Sequence, residues 1–173
     1  DELKKTGYFK KDIDALVGSV SDPATKVELI YNFVKSQVKW NGYYGFYADD
    51  VRKAYKEHAG NSGDINVMLT ARLRYAGLNA NPVLVSTRTH GIPLFPTREG
   101  YNYVVTWVEL HNDSAVLLDA TEQYAAPNIL PYRALNWKGR IVADNGGSRL
   151  VDLYPKTKSK NSTIMMVKID EEG

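Results

Sequence analysis

In Gly60-Asn61-Ser62-Gly63-Asp64-Ile65-Asn66, a short polar turn runs directly into an apolar helix. The spacing of apolar side chains predicts that this helix begins near Gly63 and continues to Ala76. Gly77 then offers the left-handed conformation in which many helices end. After a turn, the apolar run Val83-Leu84-Val85 predicts a strand. The stretch therefore predicts a buried central helix that leads into a sheet.

The segment before this stretch is predicted to be helical. Asp22 precedes Pro23, which combines a capping side chain with proline at the first helical position. Apolar side chains then recur every three or four residues as far as Val38, as expected for one buried helix face. Shorter helices are predicted at Asp12–Val17 and Val51–His58.

The segment after the stretch is predicted to consist mainly of strands. We expect Tyr101–Leu110 and Ala115–Asp119 to pair as an antiparallel hairpin across a polar turn. A loop is predicted at Thr87–Gly100, and further strands near Gly139–Ala143 and Thr163–Ile169. Helices followed by antiparallel strands define an α+β fold.

The composition limits the possible functions. With 173 residues, the chain is expected to form a single domain, residues 1–173. A net charge of +2, with acids and bases interspersed, argues against a nucleic-acid partner. The absence of cysteine excludes disulfides, thiolate zinc sites and thiol nucleophiles. No histidine pair has metal-ligand spacing, so we expect neither a metal nor another cofactor. No apolar run reaches the roughly 18 residues of a membrane span.

Three positions in these elements carry a resemblance to a known family. Ser62 stands at the start of the central helix, Asn102 at the start of a strand and Asp119 at the end of the next strand. Forty residues separate the first two and seventeen the last two. In order and spacing, residues 22–121 resemble the transglutaminase-like family. The resemblance implies a papain-like α+β core, in which cysteine, histidine and aspartate occupy these places as a catalytic triad.

Two of these positions depart from the family's pattern. A serine hydroxyl is far less acidic than a thiol, so a helix N-terminus that ionises cysteine cannot ionise Ser62. Asn102 cannot serve as a base, because an amide exchanges no proton near neutral pH. Losing triad members removes roughly 10⁴ to 10⁶ in rate. We therefore expect an inactive enzyme homologue, with Ser62, Asn102 and Asp119 as degenerate triad positions.

An inactive homologue is expected to act as a binding or scaffolding module. The chain begins with Asp1 and ends abruptly at Gly173, so we interpret it as a piece of a larger protein with other domains. A peptide or a glycan is the expected ligand class. The family resemblance favours a bacterial protein of the periplasm or cell envelope.

The three polar side chains are expected to form a structural hydrogen-bond cluster. Ser62 would cap the helix by accepting from the backbone N–H of Ile65. Asn102 would donate to the Asp119 carboxylate and accept from Ser62, which would leave no polar group unpaired.

An aromatic stretch, Trp40–Tyr47, follows the first long helix. Exposed aromatic rings between glycines can stack on sugar rings or hold an extended peptide. Trp40, Tyr43 and Tyr44 are therefore candidates for the wall of a ligand cleft, together with Tyr103 and His90. The alternative is that these rings pack on the core helix and fix the loop.

The alternative function is an amide or ester hydrolase. Ser62 would be its nucleophile, and His90, in the loop expected to border the cleft, would be its base. His58 lies only four residues before Ser62 and would need a tight bend, whereas His111 is expected at an exposed hairpin tip. Deliberate replacement of a native cysteine would explain Ser62 but not Asn102.

Overall fold

Helices precede a sheet along the chain, as the sequence predicts. The computed structural model describes residues 2–95, 97–111, 114–157 and 160–168. Its helices are α1 (Lys10–Val17), α2 (Pro23–Gln37), α3 (Val51–Glu57) and α4 (Ser62–Tyr75). Its strands are β1 (Lys39–Trp40), β2 (Ala59–Gly60), β3 (Ala80–Val85), β4 (Tyr103–Glu109), β5 (Ala115–Leu118), β6 (Lys138–Val142) and β7 (Ser148–Asp152). Short 3₁₀ turns lie at Glu2–Lys4, Arg98–Gly100 and Tyr132–Ala134.

The start of α2 confirms the predicted cap. Asp22 accepts a hydrogen bond from the backbone N–H of Thr25 at 2.8 Å, and Pro23 is the first helical residue. The end of α4 also follows the prediction, because Gly77 adopts a left-handed backbone with φ of +83°.

Asn61, and not Ser62, caps α4. The side-chain oxygen of Asn61 accepts from the backbone N–H of Asp64 at 2.8 Å, and the Asp64 carboxylate accepts from the backbone N–H of Asn61 at 3.1 Å. The predicted cap between Ser62 and Ile65 is wrong. Ser62 is already the first residue of the helix, and the N–H of Ile65 donates to the Asn61 carbonyl instead.

The sheet has five strands in the order β5-β4-β3-β6-β7, and all neighbours are antiparallel. The predicted hairpin is confirmed, with Thr106 opposite Leu118 and Glu109 opposite Ala115, although residues 112 and 113 of its turn lie outside the described residues. Strand β6 falls where a strand was predicted, whereas β7 has no counterpart in the sequence analysis. A separate two-stranded parallel ladder joins β1 to β2.

Two apolar cores lie on the two faces of the sheet. Helix α4 packs against β3 and β4 on one face, where α2 and α3 cover it, and every residue from Ser62 to Leu73 is buried. The other face carries Val83, Trp107 and Ile141, which pack against Leu130 and other side chains from the segment after β5. Because α4 is surrounded, its first turn is fixed against the neighbouring loop and strands.

The strand predicted at Thr163–Ile169 is wrong over its described part. Residues 163–168 form no strand, and the side chains of residues 164–167 are exposed. Position 169 lies outside the described residues. Side chains that favour strands do not form one without a partner strand and a surface to pack on.

Candidate functional site

Ser62 is completely buried at the start of α4. Its hydroxyl donates to the Gly45 carbonyl at 2.9 Å and accepts from the Gly45 backbone N–H at 2.8 Å. The backbone N–H of Ser62 donates to the Tyr43 carbonyl at 3.2 Å. One loop residue therefore satisfies the hydroxyl as both donor and acceptor.

This loop lies directly over the first turn of α4. A Cβ atom at Gly63 would come within 1.8 Å of the Tyr47 carbonyl oxygen, so the position has no room for a side chain. The glycine after Ser62 thus permits the close approach of the loop, and the loop closes the helix N-terminus.

Asp119 follows β5 and is only 1% exposed. Its carboxylate accepts from the Tyr103 hydroxyl at 2.7 Å and from the Asn66 side-chain amide at 3.0 Å. It also accepts from the backbone N–H of Thr121 at 3.0 Å and from the Thr121 hydroxyl at 2.7 Å. Four hydrogen bonds compensate the loss of hydration of this carboxylate.

Asn102 faces away from Asp119. Its side-chain oxygen accepts from the backbone N–H of Thr87 at 2.8 Å, and its amide nitrogen donates to the Thr87 hydroxyl at 2.9 Å. The predicted hydrogen bonds, in which Asn102 donates to Asp119 and accepts from Ser62, are therefore wrong. Side chains alternate along an extended chain, so the neighbouring Tyr103 faces Asp119 where Asn102 does not.

Asn66 joins this cluster to the central helix. Its amide nitrogen donates to the Val104 carbonyl at 2.9 Å as well as to Asp119, and its oxygen accepts from the backbone N–H of Ala120 at 2.9 Å. The sequence analysis missed Asn66. Its signal was a polar residue four positions after Ser62, on the same face of an apolar helix.

Arg133 connects the cluster to the surface. It donates to the Tyr103 hydroxyl at 3.2 Å, to the Thr121 hydroxyl at 2.6 Å and to Glu122 at 2.6 Å. Its guanidinium also lies 4.0 Å from the centre of the Trp40 ring. Nothing in the sequence places Arg133 here, because only the fold brings it to Tyr103.

The aromatic candidates form a stack beside Arg133. Trp40 stacks on Tyr44 with ring centres 5.8 Å apart, and Tyr44 meets the Tyr103 ring edge-on at 5.5 Å. The Trp40 indole N–H donates to the Tyr43 carbonyl at 2.9 Å. Tyr43 and Tyr44 are exposed, whereas Tyr103 is fully buried and does not reach the surface.

The histidines lie apart from this group. The exposed His90 is bonded to the Glu99 carbonyl at 2.8 Å, and His58 to the Gln37 carbonyl at 2.8 Å. His111 is exposed beside the hairpin turn. Within the described residues, none of these imidazoles is hydrogen-bonded to Ser62.

A cavity of about 420 Å³ opens on the outer side of Arg133. Tyr124 and Tyr132, which are 93% and 72% exposed, line it together with Ile129 and the Arg133–Glu122 ion pair. The Arg88 guanidinium lies 4.4 Å from the centre of the Tyr132 ring. This wall combines aromatic, apolar and charged groups, which suits a ligand with both polar and apolar faces.

Two features are not found in the described part of the chain, a cluster of metal-ligating side chains and a membrane-spanning helix. No three histidine, aspartate or glutamate side chains converge there as a metal ion would require. None of its helices is both long and apolar enough to cross a membrane.

Together, the central helix, the antiparallel sheet and the aspartate after β5 define a papain-like α+β domain. The chain belongs to the transglutaminase-like superfamily, whose family model matches residues 11–120, more than half of the chain. The resemblance seen in the sequence is thereby confirmed. A search of curated protein sequences finds no match to this chain.

Two solved structures share the fold. A candidate protease from Parabacteroides distasonis ATCC 8503 matches 89% of this chain and 30% of its own, with a TM-score of 0.61 and 13% identity. A candidate cysteine protease from Cytophaga hutchinsonii matches 88% of this chain and 48% of its own, with a TM-score of 0.56 and 13% identity. This chain thus spans less than half the length of either relative. At such identity the likeness shows the fold alone, and it confirms the predicted fold class.

Replacing Asp119 with alanine is expected to lower the free energy of unfolding by about 3 kcal/mol, because buried donors on Tyr103 and Asn66 lose their acceptor. Asn102→Ala is the matched control and should cost about 1 kcal/mol, since Thr87 is the partner of its side chain among the described residues. Urea denaturation measures both. An equal loss in the two variants would contradict the central role of Asp119.

Alkaline pH is expected to destabilise the fold through Tyr103. Burial, followed by the nearby Asp119 charge, raises the pKa of this phenol well above its ordinary value. The unfolded chain releases the proton near pH 10 while the folded chain keeps it, so stability is intact below about pH 10 and falls as the pH rises further.

Urea denaturation between about pH 9 and pH 11.5 measures this effect. Tyr103→Phe should lose less stability over that range than the parent, although it is less stable at neutral pH. Tyr43→Phe, at an exposed ring, should follow the parent. A parent-like slope in Tyr103→Phe would show that other groups cause the alkaline loss.

Proposed function

We propose that this chain is a catalytically inactive transglutaminase-like domain that binds a peptide or glycan as part of a larger bacterial envelope protein. One observation carries the proposal of inactivity. The buried Ser62 hydroxyl donates to the Gly45 carbonyl and accepts from the Gly45 N–H, and within the described residues no imidazole is hydrogen-bonded to it.

The residue opposite Asp119 supports the same conclusion. In a triad, the aspartate orients the residue that accepts the nucleophile's proton. Here the side chain bonded to Asp119 is Tyr103, so we assign Tyr103, rather than Asn102, to the histidine place. Burial raises the pKa of this phenol, so Tyr103 keeps its proton at neutral pH and serves as a donor. A donor cannot activate a serine.

The hydrolase alternative gains no support from His90, which is bonded to Glu99 in its own loop. The Cytophaga relative is described as a candidate cysteine protease, but this chain contains no cysteine. Thiol chemistry therefore cannot be transferred to it.

The cavity beside Arg133 supports the binding role. Its volume of about 420 Å³ falls in the range of about 300 to 1,000 Å³ that ligand pockets occupy. Tyr124 and Tyr132 expose their rings there, and neither belongs to an apolar core. Exposed aromatic rings grouped around one cavity favour contact with a sugar ring or a peptide side chain. Both structural relatives come from bacteria, and the envelope location rests on the family resemblance.

A fluorophosphonate probe tests inactivity. Incubated with the intact chain beside a known serine hydrolase, it should label the hydrolase and leave this chain unmodified. Ser62→Ala and His90→Ala provide the matched variants. Labelling of the parent that disappears in both variants would establish the hydrolase alternative and overturn the proposal.

Isothermal titration with cell-wall peptides and with oligosaccharides tests the binding role. We expect heat of binding with one of the two ligand classes. Tyr132→Ala should weaken that binding roughly tenfold, because the ligand loses its contact with the Tyr132 ring. Tyr154→Ala, at an exposed tyrosine that does not line this cavity, should bind like the parent. The absence of binding heat with both ligand classes would contradict the binding role, and scaffolding would then remain as the proposed role.

A further inference from the structure

A second groove lies at the end of the sheet where β3 begins and β4 ends. Its cavity of about 380 Å³ is lined by the first residues of β3, the end of β4, and the turn from β6 to β7. An adjoining cavity of about 310 Å³ shares Asn79, Asn81, Ala143 and Asn145 with it. The two cavities thus join into one depression, which has no residue in common with the cavity beside Arg133.

A chain of hydrogen-bonded side chains forms one wall of this depression. Arg74 donates to Asp144 and, at 2.7 Å, to the Asn81 side-chain oxygen. The Asn81 amide donates to the Asn79 oxygen at 3.1 Å, and the Asn79 amide donates to Glu109. These polar groups are held in place without a ligand, so binding would require little additional ordering of side chains.

Trp107 and Arg149 form the other wall. The Arg149 guanidinium lies 4.7 Å from the centre of the Trp107 ring, and Arg149 itself is exposed. Among the described residues, Arg149 has no hydrogen-bond or ion-pair partner, and neither does the Trp107 indole N–H. Trp107 is 7% exposed, and its indole N–H is not one of the fully buried unpaired atoms, so this N–H keeps a small accessible surface in the groove. Both groups are therefore free to donate to a ligand.

We propose that this groove binds a neutral saccharide. Fixed amide and carboxylate groups present acceptors and donors side by side, as neighbouring sugar hydroxyls require. The indole offers an apolar edge for the sugar ring. The charges on Arg74 and Arg149 balance those on Glu109 and Asp144, so the groove gives an anionic ligand no net attraction. The site is independent of the function proposed above.

The test is an NMR titration of the ¹⁵N-labelled chain with chitotetraose and with cellotetraose. The signals to follow are the indole N–H of Trp107, assigned with Trp107→Phe, and the side-chain amides of Asn79 and Asn81. We expect saturable shifts of these signals with at least one saccharide. Arg149→Met should weaken the binding about tenfold. Arg149 is exposed and has no hydrogen-bond or ion-pair partner among the described residues, so we expect Arg149→Met to keep the fold, and the unchanged amide spectrum of the free variant checks this.

A second variant and a control complete the design. Asn79→Ala should also weaken the binding, whereas Tyr154→Ala, at an exposed tyrosine that lines neither this groove nor the cavity beside Arg133, should bind like the parent. Shifts confined to the Tyr132 cavity would overturn this site while supporting the proposed binding role. The absence of shifts with either saccharide, unchanged binding in Arg149→Met, or stronger binding of an oligogalacturonate at Trp107 would each overturn the proposal.

Discussion

A buried carboxylate is the constraint on which the rest of this structure depends. Asp119 is almost fully removed from water, and an unpaired charge there would cost several kcal/mol. Its hydrogen bonds therefore fix Tyr103 on β4 and Asn66 on α4. Its backbone carbonyl accepts from the Tyr31 hydroxyl at 2.9 Å, which adds α2 to the same point. Two helices and two strands thus meet at one residue.

In our proposal, the hydrogen bonds around Asp119 that stabilise the fold also account for the lack of catalytic activity. A catalytic triad needs a middle residue that first accepts a proton and then returns it. In the described part of the chain, each side chain that is hydrogen-bonded to the Asp119 carboxylate donates to it, and Arg133 adds a donor to the Tyr103 hydroxyl. The loop at Gly45 likewise satisfies Ser62 by hydrogen bonds that a nucleophile would have to break.

Local patterns in the sequence predict the helices and strands. They do not predict which way each side chain faces, or which residues far apart in the chain come into contact. The bounds of α4 follow from apolar spacing and Gly77, and the hairpin of β4 and β5 follows from two apolar runs on either side of a polar turn. A one-residue register decides whether Asn102 or Tyr103 faces Asp119, and no local pattern in the sequence fixes it. Arg133 reaches Tyr103 across thirty residues of chain, and only the folded segment after β5 brings it there.

The family match separates a shared core of this chain from the segment that follows it. The family model matches residues 11–120, which contain the central helix and the Asp119 cluster. The cavity beside Arg133 is built from residues 122–133, all beyond that match, and Arg149 of the second groove lies beyond it as well. A shared fold hosts different functions through the sites built on it. In our proposals, the segment after the shared core therefore supplies the whole cavity beside Arg133, and in the second groove it adds Arg149 to core residues such as Asn79 and Trp107.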